Sequence, residues 1–227
     1  MTEIIAHRGA SRECRENTLG AFTRALEQGA HGIELDVHAT SDGVVVVHHD
    51  PVVPVLSAGE RRPIARMTMA ELSAVRLADG STVPTLDEVF DLVGASAMVY
   101  VEVKAQAIEH PLIACLDRHP GVRFAVHSFD HRIPDAIRTA RPRTPVGFLS
   151  ASYPLDLGAT LGAHPPEALW QAGDLIDARL VRDAHTKGAR VIAWTVNSPA
   201  HARALMDYGV DALCTDTPGL LRASLAG

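Results

Sequence analysis

Between Thr85 and Leu149 the chain reads TLDEVFDLVGASAMVYVEVKAQAIEHPLIACLDRHPGVRFAVHSFDHRIPDAIRTARPRTPVGFL, and the order of signals in this run decides the fold. Thr85 to Val93 has helical spacing, and Met98 to Val103 is a short strand. Ile108 to Leu116 is again helical, Phe124 to His127 extended, His131 to Thr139 helical, and Val146 to Leu149 extended. Short apolar runs set between helices of this length are read as buried strands. Regular alternation of this kind implies a parallel sheet covered by helices.

The alternation continues on both sides. Toward the N-terminus, Ile4-Ile5-Ala6 is a buried strand. Thr18 to Gln28 is a helix with Leu19, Phe22, Ala25 and Leu26 on one face; Thr18 or Asn17 caps it and Gly29 ends it. Gly32 to Val37 is the next strand, and the Asp42-Gly43 turn leads into the β-branched run Val44 to Val47, read as a buried strand. Toward the C-terminus come a strand at Ala168 to Gln171, a helix from Asp177 to Lys187 closed by Gly188, and a strand from Arg190 to Trp194. A helix from Pro199 to Tyr208, a strand from Ala212 to Cys214 and a helix from Gly219 to Ala226 complete the chain. Pro51 to Val83 breaks the pattern. It is rich in Pro, Arg, Ala and Ser with one short helix, Thr68 to Val75, and reads as an excursion above the main fold.

About eight strands over this length fit a (β/α)₈ TIM barrel. An open doubly wound sheet is the second choice, because no G-x-G-x-x-G follows the first strand and no phosphate loop of the G-x-x-x-x-G-K-[ST] type occurs. Residues 1–227 are therefore expected to form one barrel domain, with 51–83 lying over the active site.

The 227 residues carry 47% hydrophobic and 21% charged side chains, which excludes a disordered chain. No apolar run approaches the roughly 20 residues that cross a bilayer. The first residues lack a basic segment followed by an apolar stretch, so no signal peptide is expected and the chain is read as cytoplasmic. A net charge of −6 argues against nucleic-acid binding. Cys14, Cys115 and Cys214 are far apart and form no C-x-x-C pair, so neither a disulfide framework nor a zinc cluster is expected.

Chemistry in a barrel of this kind collects at the C-terminal ends of the strands. Glu34 and Asp36 are two apart and share a face, and Glu102 adds a third carboxylate from another strand. Carboxylates held together repel unless a cation or a proton neutralises them. An all-oxygen donor set suits Mg²⁺ or Ca²⁺. Lys104 follows Glu102 by two, and Arg8 follows His7; both cations suit a substrate phosphate. His7 and His49 form the natural acid–base pair, since imidazole titrates near neutrality. His48 and His49 are neighbours, so alternation turns one away; His49 is assigned to the site and His38 to its rim.

These residues, in this order, closely resemble the glycerophosphodiester phosphodiesterase family. The likeness runs through Ile5-Ala6-His7-Arg8-Gly9-Ala10, Glu16-Asn17-Thr18 and Gly32-Ile33-Glu34-Leu35-Asp36-Val37. It continues through Val47-His48-His49-Asp50-Pro51, Val101-Glu102-Val103-Lys104 and Ser128-Phe129-Asp130. Ala193-Trp194-Thr195-Val196-Asn197 and Thr215-Asp216 with Pro218 close it. The resemblance implies a TIM barrel of the phosphatidylinositol-phospholipase-like phosphodiesterase type. It also implies one divalent cation and cleavage of glycerophosphodiesters to sn-glycerol 3-phosphate and an alcohol. On the matching positions, Glu34, Asp36 and Glu102 become metal ligands and His7 and His49 the acid–base pair. Arg8 and Lys104 become phosphate contacts, and Trp194 a pocket wall beside the glycerol. Likeness to the family further suggests that the substrate's own neighbouring glycerol hydroxyl attacks first, giving a cyclic phosphate. Arg15 stands where the family usually has Pro, and Val52 to Ser57 departs from the usual continuation, leaving the preferred alcohol open. Two rivals are a phospholipase C- or D-like enzyme at a membrane surface and a catalytically silent binding protein. For the first, Val52, Val53, Val55 and Leu56 would form an apolar rim, with Arg61 and Arg62 meeting headgroups. The partner expected is a small-molecule diester, without nucleic acid or stable membrane insertion; the oligomeric state is left open.

Overall fold

The computed structural model describes residues 2–55 and 60–225. Its strands are β1 Glu3–His7, β2 Gly32–Ala39, β3 Val45–Val47, β4 Val52–Val55, β5 Glu60–Pro63 and β6 Met98–Val103. They continue as β7 Phe124–Ser128, β8 Val146–Ser150, β9 Ala168–Ala172, β10 Arg190–Trp194 and β11 Ala212–Thr215. Among the described residues, eight of these pair in parallel in the order β1, β2, β6, β7, β8, β9, β10, β11, and β11 returns to β1. This is a closed TIM barrel. The intervening helices are α1 Leu19–Glu27, α2 Met69–Ser73, α3 Leu86–Val93, α4 Glu109–Arg118, α5 Arg132–Ala140, α6 Leu157–Leu161, α7 Ala178–Thr186, α8 Pro199–Tyr208 and α9 Pro218–Leu225. None of the described helices is long and apolar enough to cross a membrane.

Strand alternation divides the core. Ile33, Leu35, Val37, Val99, Val101, Val103 and Val126 face outward and pack on Phe22, Phe90, Leu112 and Leu116 of the helices. The opposite parity, Ile5, Tyr100, Ala125, Leu149, Trp170, Ile192 and Cys214, fills the barrel. Several predicted helix starts prove to be caps. Thr18 accepts a hydrogen bond from the Ala21 N–H. Thr85 with Glu88, and Thr68 with Glu71, form reciprocal capping boxes that satisfy the free N–H groups of the first turn. Short α6 was not foreseen from the sequence, and the predicted end of the last helix, Ala226, lies outside the described residues.

The valine run differs from expectation. It is not a barrel strand but β3, antiparallel to the overhanging end of β2, with Val37 opposite Val47 and Ala39 opposite Val45. β2 thus rises past the rim, turns at 40–44 and comes back down. The His48 N–H donates to the Asp36 carbonyl at 2.9 Å, which returns the chain to the level of the carboxylates.

The excursion holds more structure than its one predicted helix. β4 and β5 form an antiparallel hairpin, followed by a 3-10 turn at Ile64–Arg66 and then α2. Pro54 and Pro63 in the hairpin masked its strand signal, since proline is tolerated only where a ladder N–H is not required. Val53, Ile64, Met67, Leu72, Val75, Leu77 and Val83 pack with Val46 into a separate small core. Val53 therefore points into packing and not out as a rim; Leu56 and the Val55 side chain lie outside the described residues. Arg61 pairs with Asp50, and Arg62 with Glu71.

Ile64 is fully buried in that small core. Ile64→Ala is expected to cost roughly 2–5 kcal/mol, as large-to-small changes in packed cores do. A lowered urea midpoint, or a separate early transition, checks it; an unchanged denaturation curve would show that the excursion is only loosely attached.

Candidate active site

Register places the polar residues. In a parallel ladder, paired residues point to the same side of the sheet. His7 is paired with Glu34, Asp36 with Glu102, and Glu102 with His127. The inward set that is apolar at the bottom of the barrel becomes polar at its C-terminal mouth. A cleft of 230 Å³ opens there, and His7, Arg8, Glu34, His49, Glu102, Lys104 and Trp194 all line it. Asp36, expected beside them, sits beneath the cleft wall and is fully buried. His48 faces a neighbouring groove with Arg15, Pro54 and Arg61, whereas His49 lines both. His38, expected at the rim, is buried, and its Nε2 lies 3.1 Å from the His49 carbonyl oxygen.

The three carboxylates have almost no water. Burial, and then Asp36 and Glu102, push the Glu34 carboxyl well above the ordinary range. Burial and Asp36 also raise Glu102, against the opposing charge and hydrogen bond of Lys104 at 2.9 Å. For Asp36 burial acts upward as well, but Arg8, the Asn17 amide and Lys104 outweigh it and the carboxyl ends lower than usual. Asn17 Nδ2 donates to Asp36 Oδ2 at 2.8 Å, and Arg8 Nε lies 3.0 Å from the same oxygen without hydrogen-bond alignment. Arg8 Nη1 donates to both oxygens of Glu16 at 3.1 Å. Arg8 and Asn17 both hold left-handed backbones, φ 57° and 56°, a strained conformation that clusters at functional sites. Glu34 Oε1 and Asp36 Oδ1 are buried with no hydrogen-bond partner. Two buried carboxylate oxygens without a hydrogen-bond donor, one on the cleft wall and one beneath it, are a donor set that a divalent cation fits.

Each imidazole that lines the cleft and was assigned to acid–base work has a carboxylate on Nδ1. His7 Nδ1 lies 2.7 Å from Asp216 Oδ1, and His49 Nδ1 lies 2.9 Å from Asp50 Oδ1. A carboxylate on Nδ1 accepts that N–H and leaves Nε2 free to exchange a proton. Asp216 also accepts from Asn197 Nδ2 at 2.7 Å and from Ser11 Oγ at 3.2 Å. Burial acts to raise Asp216, but these bonds, that of His7 first, bring it down to about 2.

Sequence reasoning gave several of these groups no role, although His127 and Asn197 stand among the polar residues at the strand ends. Asp216 appeared only within a matching motif, and Asn197 there and as a polar residue just beyond the Arg190 strand; nothing in their local sequence shows that they meet at His7. Phe129 packs edge-on against Trp194 at 5.4 Å between centroids at the mouth of the cleft. His127 is 1% exposed, and burial holds its imidazole down at about 3. It shares strand parity with the inward residues, which was the available signal. One donor atom each from Glu34, Glu102 and His127 lie within 4.8 Å of one another.

The model of the glycerophosphoryl diester phosphodiesterase family matches residues 7–220. The chain belongs to this family. A glycerophosphodiester phosphodiesterase of Caldanaerobacter subterraneus is 31% identical over 97% of this chain and 96% of its own length. The crystal structure of a glycerophosphodiester phosphodiesterase from Thermotoga maritima superposes with a TM-score of 0.85, at 28% identity and 98% coverage of both chains. A phosphodiesterase from Oleispira antarctica, in complex with the product sn-glycerol-3-phosphate, has a TM-score of 0.88 at 25% identity, covering 100% of this chain and 98% of its own. The family match begins at His7 and runs beyond Asp216, so it spans every residue named above in the cleft.

The folded-state shift of Asp216 has a pH consequence. Its carboxylate is held below the unfolded value, so it contributes stability that is present above the unfolded pKa and lost as pH falls through about 2. The melting-temperature gap between wild type and Asp216→Asn is therefore expected to be largest near neutral pH and to shrink on acidification. A gap independent of pH would show that the Asp216 charge is not what matters.

Proposed function

We propose that the chain hydrolyses glycerophosphodiesters to sn-glycerol 3-phosphate and an alcohol, with a bound divalent cation and with His7 and His49 as the acid–base pair. One observation carries the reading: two imidazoles, each with a carboxylate on Nδ1, face a single cleft whose wall also holds Glu34, Glu102, Arg8 and Lys104. Two proton carriers beside cations and buried carboxylates form a site for moving protons on and off the oxygens of a phosphodiester. Family membership and the glycerol 3-phosphate bound by the Oleispira relative support the substrate class.

Glu34, Asp36 and Glu102 would hold the cation; the buried oxygens of Glu34 and Asp36 that lack a hydrogen-bond partner fit it. Mg²⁺ and Ca²⁺ are the ions expected for carboxylate donors. When bound, the cation would neutralise charge on phosphate oxygens as the transition state develops. Arg8 and Lys104 add fixed positive charge at the same wall. Both are held by carboxylates, Arg8 by Glu16 and Lys104 by Glu102, which orients them before a phosphate arrives. One imidazole takes the proton of the attacking hydroxyl, and the other gives a proton to the departing alcohol oxygen. Asp216 and Asp50 keep the two rings in the tautomer and orientation this exchange needs. Attack by the neighbouring glycerol hydroxyl expels the alcohol and leaves a cyclic phosphate, which water then opens to glycerol 3-phosphate; the intramolecular first step removes much of the entropic cost of bringing a nucleophile to phosphorus. Trp194, with Phe129 against it, would wall the glycerol side. The 51–83 excursion would meet the alcohol side, since Pro54 and Arg61 flank the groove next to His49.

The decisive assay is release of glycerol 3-phosphate from glycerophosphodiesters of choline, ethanolamine, glycerol and inositol, with and without added Mg²⁺ or Ca²⁺. Excess EDTA is expected to abolish turnover and either metal to restore it; full activity in protein shown to be metal-free would remove the cation from the reading. His7→Ala and His49→Ala are each expected to lower kcat by roughly 10²–10⁴-fold, the usual worth of one general acid or base. His48→Ala should be far milder, and a larger loss there would reverse the assignment of the pair. Shortening the excursion is expected to change the ratio of kcat/KM between two alcohols, which parallel kinetics on choline and ethanolamine diesters would read. An unchanged ratio would assign the excursion to stability alone.

A further inference from the structure

His127 has no part in that proton exchange, yet it is among the most enclosed polar side chains described. Its place is set by the barrel. Its Cα is paired with Glu102 across the β6–β7 ladder, and Glu102 is paired with Asp36 across β2–β6, so all three point into the mouth. The ring lies flat on Trp170, with centroids 4.2 Å apart and planes 4° from parallel. Room for this stack comes from Gly147, the residue paired with His127 on β8. A Cβ there would lie 2.8 Å from the Trp170 indole and 3.2 Å from His127 Cβ. Stacking, not hydrogen bonding, holds the ring, since Nδ1 is buried without a partner.

Nε2 faces the carboxylates. It lies 3.8 Å from Glu34 Oε1, which is too long for a hydrogen bond, and that oxygen is itself buried without a partner. Two complementary atoms are thus held facing each other without touching. Ligand atoms that share a cation roughly 2.0–2.2 Å away stand roughly 3–4 Å apart, which is the separation seen here. Glu102 brings the third donor within 4.8 Å.

We infer that His127 Nε2 is a nitrogen ligand of the divalent cation, beside Glu34 and Glu102, and that it tilts the site toward Mn²⁺, Co²⁺ or Zn²⁺ over Ca²⁺. The inference rests on the reading that a cation is held at these carboxylates. Its physical basis is ligand softness. Ca²⁺ takes six to eight oxygens in a loose shell, whereas imidazole suits the later first-row ions. The donor set legible in the sequence was all oxygen and pointed to Mg²⁺ or Ca²⁺; one nitrogen in the shell changes that order.

The test uses the full chain, stripped with chelator and loaded with Mn²⁺, produced with ordinary histidine and with histidine labelled with heavy nitrogen. Pulsed electron paramagnetic resonance should show a nitrogen coupling to Mn²⁺ that changes with the isotope. The coupling should persist in the double variant His7→Gln/His49→Gln and vanish in His127→Gln. Affinities for Zn²⁺, by competition with a chromophoric chelator, should weaken by roughly tenfold or more in His127→Gln, the scale on which site mutations affect metal binding. Affinity for Ca²⁺, by calorimetry, should stay within about twofold, with circular dichroism confirming the fold. Bound Mn²⁺ without nitrogen coupling, or coupling lost in the His7/His49 variant, would overturn the assignment even if His127→Gln failed to fold. Equal weakening for Zn²⁺ and Ca²⁺ would overturn it too. Wild-type protein that bound no divalent ion would sink the cation reading along with it, whereas the other failures would leave that reading standing.

Discussion

Glu34, Asp36 and Glu102 stand in the mouth of the barrel with almost no access to water, and much of the surrounding structure acts to make that arrangement tolerable. Ionised carboxylates removed from solvent and set beside one another raise each other's pKa. The protein answers with cations and donors from three separate segments. Lys104 comes from the end of β6, Arg8 from the turn after β1, Asn17 from the loop before α1, and the Arg8 backbone N–H reaches Glu34 Oε2 at 3.1 Å. Two of these residues adopt left-handed backbones to do so. Two buried oxygens, on Glu34 and Asp36, still lack a hydrogen-bond donor, although Lys104 Nζ stands 3.7 Å from that of Asp36. Those two oxygens tie the fold to its proposed chemistry.

The same constraint explains the apolar part of the barrel. Below the carboxylates, Ile5, Tyr100, Ala125, Ile192 and Cys214 exclude water from the bottom of the site. In this low-dielectric surround every charge acts more strongly than it would in solvent. Burial lifts the Cys214 thiol well above its ordinary range, so it serves as a small apolar group in the cleft lining. His127 and Trp170 form a flat aromatic floor between the two layers, polar on the side that meets Glu34.

The two imidazoles reach the cleft by different routes. His7 ends a barrel strand, and its partner Asp216 follows β11, the strand that closes the barrel against β1. Closure itself therefore assembles this pair from the two ends of the chain. His49 comes down from the β2–β3 overhang and is partnered by the next residue, Asp50. Arg61 of the excursion donates to Asp50 at 2.7 Å. This ties the small core formed by residues 53–83 to the partner of His49, so a change in the excursion has a direct path to the acid–base group.

The sequence by itself determined the barrel, because short apolar runs alternate regularly with helical segments, and few other layer arrangements could bury them together. It also determined most of the cleft: His7, Arg8, Glu34, His49, Glu102, Lys104 and Trp194 sit at strand ends or in motifs whose spacing is local, and local spacing can be read along a chain. Tertiary structure alone decided what depends on register and closure. Whether the valine run was a barrel strand or an antiparallel overhang turned on its pairing with β2. The hairpin in the excursion was hidden by prolines that its ladder tolerates. Asp216 meets His7 across 209 residues only because the barrel closes. His127 joins Glu34 and Glu102 only because β6 and β7 pair in one register, and a shift of one residue would turn its ring outward among the helices.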